Sequence, residues 1–212
     1  MWATVPRLWP GETVVIAASG PSLTVDQLSA VRGRARLIVI NSTWQLAPWA
    51  DMLYACDHEW WLHEDNRGAW DFAGLKVSQD VGWVDPKTGP RPQPPNLHIV
   101  ASVAGKGLSL DPARIHRGAN GGYQALNLGM HLSGGLTVFL GLDMKMGPGN
   151  RPHHHADHRC KQNPSSSTME TWRKNFETTL PDLKTAGVEV INCTPGSALQ
   201  CFPQKPLCEV FP

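Results

Sequence analysis

The chain has 212 residues and a mass of 23.2 kDa, a size typical of a single domain. Apolar residues make up 41% of it and charged residues 17%, which is enough for a core and excludes a disordered chain, a coiled coil and a highly charged scaffold. The net charge of +1 gives no electrostatic support to a nucleic-acid partner, although it does not exclude one.

The sequence predicts a protein of the cytoplasm. Residues 1–10 contain two prolines and no hydrophobic stretch, so we expect no signal peptide. No apolar run approaches the roughly 20 residues that cross a bilayer, so no membrane span is predicted. The five cysteines are an odd number without CxxC spacing, which indicates thiols in a reducing compartment rather than a disulfide framework.

The first predicted elements are a strand, a helix and a second strand. The apolar run 13–18 predicts a strand buried on both faces, and the turn 19–22 ends it. A helix over 25–31 follows, with Ser22 or Thr24 as its N-cap. Residues 37–40 predict a second buried strand, so this part of the chain forms a βαβ unit.

The same alternation continues to the end of the chain. The pattern predicts strands over 52–56, 97–100, 136–140 and 188–191, helices over 123–132 and 169–186, and irregular loops over 82–95 and 146–167. Pro181 is expected to break or kink the last helix. We therefore predict one α/β domain over 1–212, Rossmann-like and three-layered, with a mostly parallel sheet and a loop that forms a lid.

Polar residues follow several predicted strands, at the edge where parallel sheets bind ligands. These residues are Ser19, Gly20, Pro21 and Ser22 after the first strand, Asn41 after the second, Asp57 after the third, Gly141 and Asp143 after the strand over 136–140, and Asn192 after the last strand. Their convergence predicts a binding site.

Two glycine-containing turns precede predicted helices and could hold phosphate. At 19–22, Gly20 permits close backbone approach and the helix start offers N–H groups. At 117–123, Gly121 and Gly122 lead into the helix that contains Tyr123, and Arg117 could serve as a countercharge. Each turn has an ordinary alternative, a strand-to-helix turn with Ser22 or Asn120 as the cap.

A run of histidines at 153–158 is the most unusual feature of the sequence. It could bind a transition metal, since His155 and His158 are three residues apart, or it could be a solvated cluster. We favour a third interpretation, in which one histidine is a general base on a loop that closes over the substrate. Trp60, Trp61 and Trp70 could stack a sugar or base or lie in the core, and the sequence favours neither.

The order of these motifs resembles a known superfamily of nucleotide-dependent transferases. The run 15–23, which contains the letters GPSL, is similar to the opening of glycosyltransferase family 42, the Campylobacter-type sialyltransferases. It is similar also to the motility-associated sugar transferases of DUF115 and to archaeal 6-hydroxymethylpterin diphosphokinases. The resemblance covers residues 13 to about 203 and is closest to short bacteriophage proteins of this pattern, so that the host cytoplasm would be the location.

The resemblance implies a nucleotide-sugar-dependent glycosyltransferase with an unknown acceptor. The catalytic base would be His155 or His158, and no cofactor or metal would be required. Asn41 and Asp57 would contact the ribose or base, the Gly20 and Gly122 turns would hold the phosphates, and Gly121–Tyr123 and Gly141–Asp143 match further family motifs. Members of family 42 often form oligomers, so a homo-oligomer is implied as well.

The sequence departs from the family at two places, and it leaves two other functions open. Ala18 replaces an asparagine-like residue, and the paired lid tyrosines are missing. We therefore expect phosphate to be neutralised by a basic residue, with Arg117, Lys145, Arg151 or Arg159 as the candidates. The alternatives are a Mg²⁺-dependent diphosphokinase, with Asp57 and Asp143 facing the metal, and a nucleotide-binding module without catalysis.

Overall fold

The computed structural model describes residues 2–160 and 162–212. Two predictions touch the remaining positions: Met1 begins the N-terminal segment for which no signal peptide is expected, and Lys161 belongs to the loop over 146–167. Both positions lie outside the described residues. The architecture is α/β, with a seven-stranded parallel sheet flanked by helices, so the predicted fold class is confirmed.

Most strands of the main sheet are short, mainly apolar runs. In chain order the strands are β1 (Val14–Ala17), β2 (Arg36–Ile40), β3 (Met52–Tyr54), β4 (Leu75–Gln79), β5 (Val84–Asp85), β6 (Gly89–Pro90), β7 (Leu97–Val100), β8 (Ser102–Val103), β9 (Ile115–His116), β10 (Thr137–Leu140) and β11 (Val190–Asn192). β5 and β6 form a small antiparallel hairpin, and β8 and β9 form a separate parallel pair.

The main sheet has the strand order β11-β10-β1-β2-β3-β4-β7, and all of its strands are parallel. The chain runs outward from β1 through β2, β3 and β4 on one side, and it returns to the other side of β1 with β10. The order of strands therefore reverses between β1 and β10. A crevice forms at such a switch point, outside the carboxyl ends of the strands.

The α-helices cover both faces of this sheet. They are α1 (Val25–Val31), α2 (His58–Leu62), α3 (Gly121–Leu132), α4 (Ser166–Glu177), α5 (Leu180–Ala186) and α6 (Leu207–Val210), and 3-10 turns lie over Asn41–Gln45, Glu64–Asp71 and Pro148–Asn150. Thr24 begins α1 with a reciprocal capping box to Gln27, which decides between the two predicted caps.

Alternate side chains of β1 enter two different core layers. Val14 and Ile16 pack with α3 and with Phe176 of α4 on one face. Val15 and Ala17 pack with α1 and α2 on the other face, where Trp60 and Trp61 are completely buried. These two tryptophans are therefore core residues. The apolar character of the predicted first strand follows from this burial on both faces.

Several elements differ from the sequence predictions, and α2, α6, β8 and β9 were not predicted. The segment predicted as a helix over 169–186 is two helices, α4 and α5, so the break expected from Pro181 is confirmed: Pro181 lies in the first turn of α5, where its missing N–H costs nothing. The stretch 82–95 contains the β5–β6 hairpin and is not wholly irregular. β4 was not predicted, because Lys76 and Gln79 interrupt its apolar pattern. In the described part of the chain, no helix combines the length and apolar character needed to span a membrane.

Candidate functional site

A cavity of about 400 Å³ opens at the carboxyl edge of the sheet, and it includes the switch point. Its volume lies in the usual range for small-molecule sites. Eleven residues predicted from the sequence line it: Ser19, Gly20, Asn41, Asp57, Arg117, Gly121, Gly122, Gly141, Asp143, Lys145 and His158. The ends of β1, β2, β3 and β10 bring most of these residues together.

Several predicted residues lie outside the cavity lining. Pro21 and Ser22 follow Gly20 in the first turn and do not line the cavity. Tyr123 is buried in the core, where its hydroxyl donates to the Gly107 carbonyl. Arg151 is exposed, and the side chain of Arg159 is 78% exposed with its Nε 3.9 Å from Asp65. Of the four basic residues expected to neutralise phosphate, Arg117 and Lys145 line the cavity.

The first glycine turn already holds a carboxylate of the chain itself. The Ser22 hydroxyl donates to Asp143 Oδ2 at 2.9 Å, and the Ser22 N–H lies 3.4 Å from the same oxygen. A Cβ added to Gly20 would lie 2.0 Å from this oxygen, so only glycine fits. Burial raises the pKa of Asp143, and the hydrogen bonds from Ser22 oppose that rise. A phosphate at this turn would compete with Asp143 for its donors.

The second glycine turn is a well-formed helix start. The Asn120 side chain accepts from the N–H groups of Gly122 at 2.8 Å and Tyr123 at 3.1 Å, as an N-cap does. The ordinary alternative, a turn capped by Asn120, is therefore present in the structure. Gly121 and Gly122 nevertheless line the cavity, so their backbone is accessible to a ligand there.

Two buried amide side chains belong to the lining of this cavity. Asn41 and Gln79 are each 8% exposed and line the cavity. Asn41 Oδ1 and Gln79 Oε1 have no hydrogen-bond partner among the residues that the structure describes. Buried carbonyl oxygens are costly to leave unbonded, so both atoms require a donor from a ligand or water. Asn41 holds this position with a φ of 50°, a conformation that asparagine tolerates better than most residues.

The loop that contains the histidine run 153–158, called here the histidine loop, is hydrogen-bonded to residues that follow β1 and β2. The His154 N–H donates to the Ser19 carbonyl at 2.9 Å, His154 Nε2 lies 3.3 Å from Thr43 Oγ1, and His153 Nδ1 lies 3.3 Å from Ser19 Oγ. Burial, and secondarily the neighbouring His155, lowers the pKa of His154 to about 4. His154 is therefore neutral at pH 7, in keeping with its half-buried position.

Three histidine rings of this loop form a compact group. The ring centres of His153, His155 and His158 lie 4.8 to 5.0 Å apart. His153 and His158 line the cavity, whereas His155 does not, and its Nδ1 donates to the Ala156 carbonyl at 2.6 Å. Over residues 2–160 and 162–212, no group of three or more His, Cys, Asp or Glu side chains is arranged to hold a metal ion.

Sequence reasoning missed several residues of the cavity. Gln79 was missed together with β4, and its only signal was the polar pair at 79–80 that ends a short alternating segment. His153 belongs to the histidine run, but the spacing argument selected His155 and His158 and gave no reason to select His153. The other missed lining residues include Cys56, Gln124, Met169 and Trp172. Cys56 is the last residue of the predicted third strand, while the other three come from helices that only tertiary packing brings to this edge.

The fold and the site define a class of protein: a Rossmann-like α/β protein with a polar cleft at the switch point of its sheet. Comparison with known proteins does not narrow this class. The chain matches no protein-family model, no curated protein and no solved structure.

Proposed function

We propose that the protein is a transferase that acts on a nucleotide-linked sugar, with His158 as the general base. One observation carries the proposal: the histidine loop lies over the switch-point cleft and brings His158 into the same cavity as Asn41 and Gly122. The backbone at His158 is held on both sides by Asn163, which accepts from its N–H at 3.0 Å and donates to its carbonyl at 3.2 Å. A base needs such positioning.

The chemistry is a single displacement in this proposal. The acceptor oxygen forms a bond to the anomeric carbon of the sugar as the bond from that carbon to the phosphate oxygen breaks. The nucleotide leaves with the electron pair, and the hydroxyl proton of the acceptor passes to the imidazole of His158. Neutral imidazole has a pKa near 6.5 and can accept this proton at neutral pH.

Cys193, Cys201 and Cys208 are thiols, which favours the cytoplasm as the place of this activity.

The test replaces the histidines one at a time. Because the acceptor is unidentified, we would measure the release of nucleotide from nucleotide sugars with water as the acceptor. His158→Ala should lower this rate about 100-fold or more, the contribution typical of a general base, and should change the nucleotide Kd by less than about threefold. His155→Ala is the matched control from the same loop and should retain most of the rate, because His155 lies outside the lining.

Each result decides a different point. Loss of the rate in His155→Ala with retention in His158→Ala would assign the base to the other predicted histidine. An unchanged rate in both variants would remove the transferase mechanism. Tight nucleotide binding without turnover in the wild-type protein would support a binding module instead.

The Mg²⁺-dependent diphosphokinase is the second candidate, because Asp57 and Asp143 both line the cavity. They follow β3 and β10, strands separated by three interstrand spacings, or about 14 Å. One Mg²⁺ ion bound at about 2.1 Å cannot bridge the ends of strands this far apart, which favours the sugar transferase. ATP affinity that rises at least tenfold with Mg²⁺, without affinity for nucleotide sugars, would reverse this preference.

A further inference from the structure

The cleft extends well beyond the switch point. Asp143 follows β10 and Gln79 ends β4, and both line the same cavity. Four interstrand spacings separate these two strands, about 19 Å along the sheet edge. A nucleotide at the switch point would leave the β4 side of the cleft open to a second molecule. Arg117 belongs to this side, because its N–H donates to the carbonyl of Val103 in β8, and β8 follows β7, the neighbour of β4. We call this side, formed by Gln79 and Arg117, the distal end.

The distal end contains a buried hydrogen-bond acceptor. Gln79 is 8% exposed, and its Oε1 lacks a hydrogen-bond partner within the described part of the chain. Asp57, which follows the adjacent β3, adds carboxylate oxygens to the same lining. The Oε1 of Gln79 requires a hydroxyl or amine donor on the ligand, because buried acceptors are rarely left without a hydrogen bond.

The distal end also contains a cation. Arg117 Nε is buried, and none of the described residues accepts a hydrogen bond from it. The backbone at Arg117 is fixed, because its carbonyl accepts from Gln124 Nε2 at 2.8 Å and Gln124 in turn accepts from the Tyr54 hydroxyl. A guanidinium group keeps its charge at all physiological pH values and binds carboxylates and phosphates in a two-pronged geometry. It therefore calls for an anionic group on the ligand.

We propose that the distal end binds the acceptor substrate, and that this acceptor is a small polyhydroxylated anion such as a sugar acid or sugar phosphate. Its anionic group pairs with Arg117, and one of its hydroxyls donates to Gln79. The proposal rests on the proposed transferase function for the word acceptor, but the binding site itself can be tested separately. It gives Arg117 a role different from the phosphate countercharge that the sequence predicted.

The first test compares three probes that share one sugar ring. Calorimetric titration with glucuronate, glucose 6-phosphate and glucose at matched ionic strength gives the Kd of each for the wild-type protein. At least one anion should bind ten times more tightly than glucose, and the better one identifies carboxylate or phosphate as the recognised group. Equal Kd values for all three probes would overturn the proposal.

The second test uses variants of the two distal residues. Arg117→Gln should abolish the preference for the anion, whereas Arg114→Gln should keep it, because Arg114 is an exposed arginine that pairs with Asp111 and lies outside the cavity. Gln79→Glu adds a negative charge of the same shape and should weaken anion binding about tenfold without changing the Kd of glucose. This variant provides an independent result if Arg117→Gln does not fold.

Nucleotide titration of the same variants separates the two proposals. Arg117→Gln should keep the nucleotide Kd within about twofold. A tenfold weaker nucleotide Kd with unchanged anion preference would place Arg117 at the donor phosphate and overturn the distal site. A wild-type protein that prefers the anion through Arg117 but binds no nucleotide would retain the distal site and remove the transferase function.

Discussion

Asp143 accepts the hydrogen bonds that the turn at 19–22 was predicted to offer to a bound phosphate. The turn at 19–22 has the composition of an anion site, yet its serine donates to a carboxylate that arrives from β10, more than one hundred residues later. The turn is therefore stabilised by the chain itself. Gly20 serves this packing, since its own N–H donates to the Gly141 carbonyl and no Cβ fits beside Asp143.

We expect Asp143→Asn to raise the free energy of unfolding at pH 7 by about 1 kcal/mol, because a buried amide loses less hydration than a buried carboxylate. The pKa of Asp143 is raised by folding, so ionisation penalises the native state above the ordinary pKa of 3.8. The stability that Asp143→Asn adds should therefore become smaller as the pH falls toward 4. Urea unfolding at pH 7 and pH 4.5 measures it.

The control for this variant is Asp157→Asn, which changes an exposed carboxylate of the histidine loop and should leave stability unchanged. A loss of more than about 1 kcal/mol in Asp143→Asn would contradict the prediction. It would mean that the charged hydrogen bond from Ser22 outweighs the desolvation of the carboxylate.

At the scale of the element, the histidine loop is joined to the sheet by a few hydrogen bonds. His153 and His154 contact Ser19 and Thr43 at the ends of β1 and β2, while the exposed residues 156, 157 and 159 face solvent. Few buried apolar contacts hold such a segment, so its attachment depends on these polar groups. Protonation of His154 is the reaction that opposes this attachment.

The pKa of His154 is lowered from its ordinary 6.5 to about 4, so folding favours the neutral ring. The unfolded chain binds the proton more tightly, and stability should fall as the pH drops from about 6.5 to 4. We expect a loss of about 2 kcal/mol over this range after allowance for the partial exposure of the ring. His154→Gln cannot titrate and should remove this part of the pH dependence.

The measurement is the free energy of urea unfolding at several pH values, together with hydrogen exchange of the loop amides. His63→Gln, a histidine outside the loop, serves as the control and should keep the wild-type pH dependence. If His154→Gln loses stability with acid as steeply as the wild-type protein does, His154 is not the group responsible.

At the scale of the whole molecule, the parallel sheet creates the site. Every strand of the main sheet ends at the same edge, and the reversal of strand order beside β1 opens a crevice there. The residues that line it come from positions as far apart as Ala18 and Trp172. No single segment of the chain contains a complete site.

We expect a nucleotide that occupies this cleft to raise the melting temperature of the protein. A ligand at 100 times its Kd adds about 2.7 kcal/mol, or about 5–10 °C for a chain of this size. Thermal melting with cytidine, uridine, adenosine and guanosine nucleotides and their sugar derivatives measures this shift. A flat result with all of them would mean that the cleft does not bind nucleotides.

A matched variant makes this prediction specific to the cleft. Asn41→Gly removes the buried amide and retains a residue suited to the φ of 50° at this position. It should weaken nucleotide binding about tenfold, which corresponds to 1.4 kcal/mol and about half of the thermal shift. An undiminished shift would place the nucleotide away from Asn41.

The amino-acid sequence by itself determined the fold class and the approximate positions of most strands of the main sheet and of its longest helices. β1, β2, β10 and α3 are recognisable because their apolar runs, caps and glycine stops act locally. β4 is not recognisable, because Lys76, its second residue, contradicts a buried strand. The structure explains this lysine: its Nζ donates to the Trp70 and Phe72 carbonyls, a contact that no local pattern reveals.

Tertiary structure alone decided which polar residues share the cleft. The sequence placed Asn41, Asp57 and Asp143 at strand ends, but strand order determines the distances between them. The sequence also could not distinguish His155 from His158, since the choice depends on how the loop folds over β1 and β2. Local patterns reflect interactions between near neighbours in the chain, whereas a site depends on contacts between distant segments, which form only when the sheet is assembled.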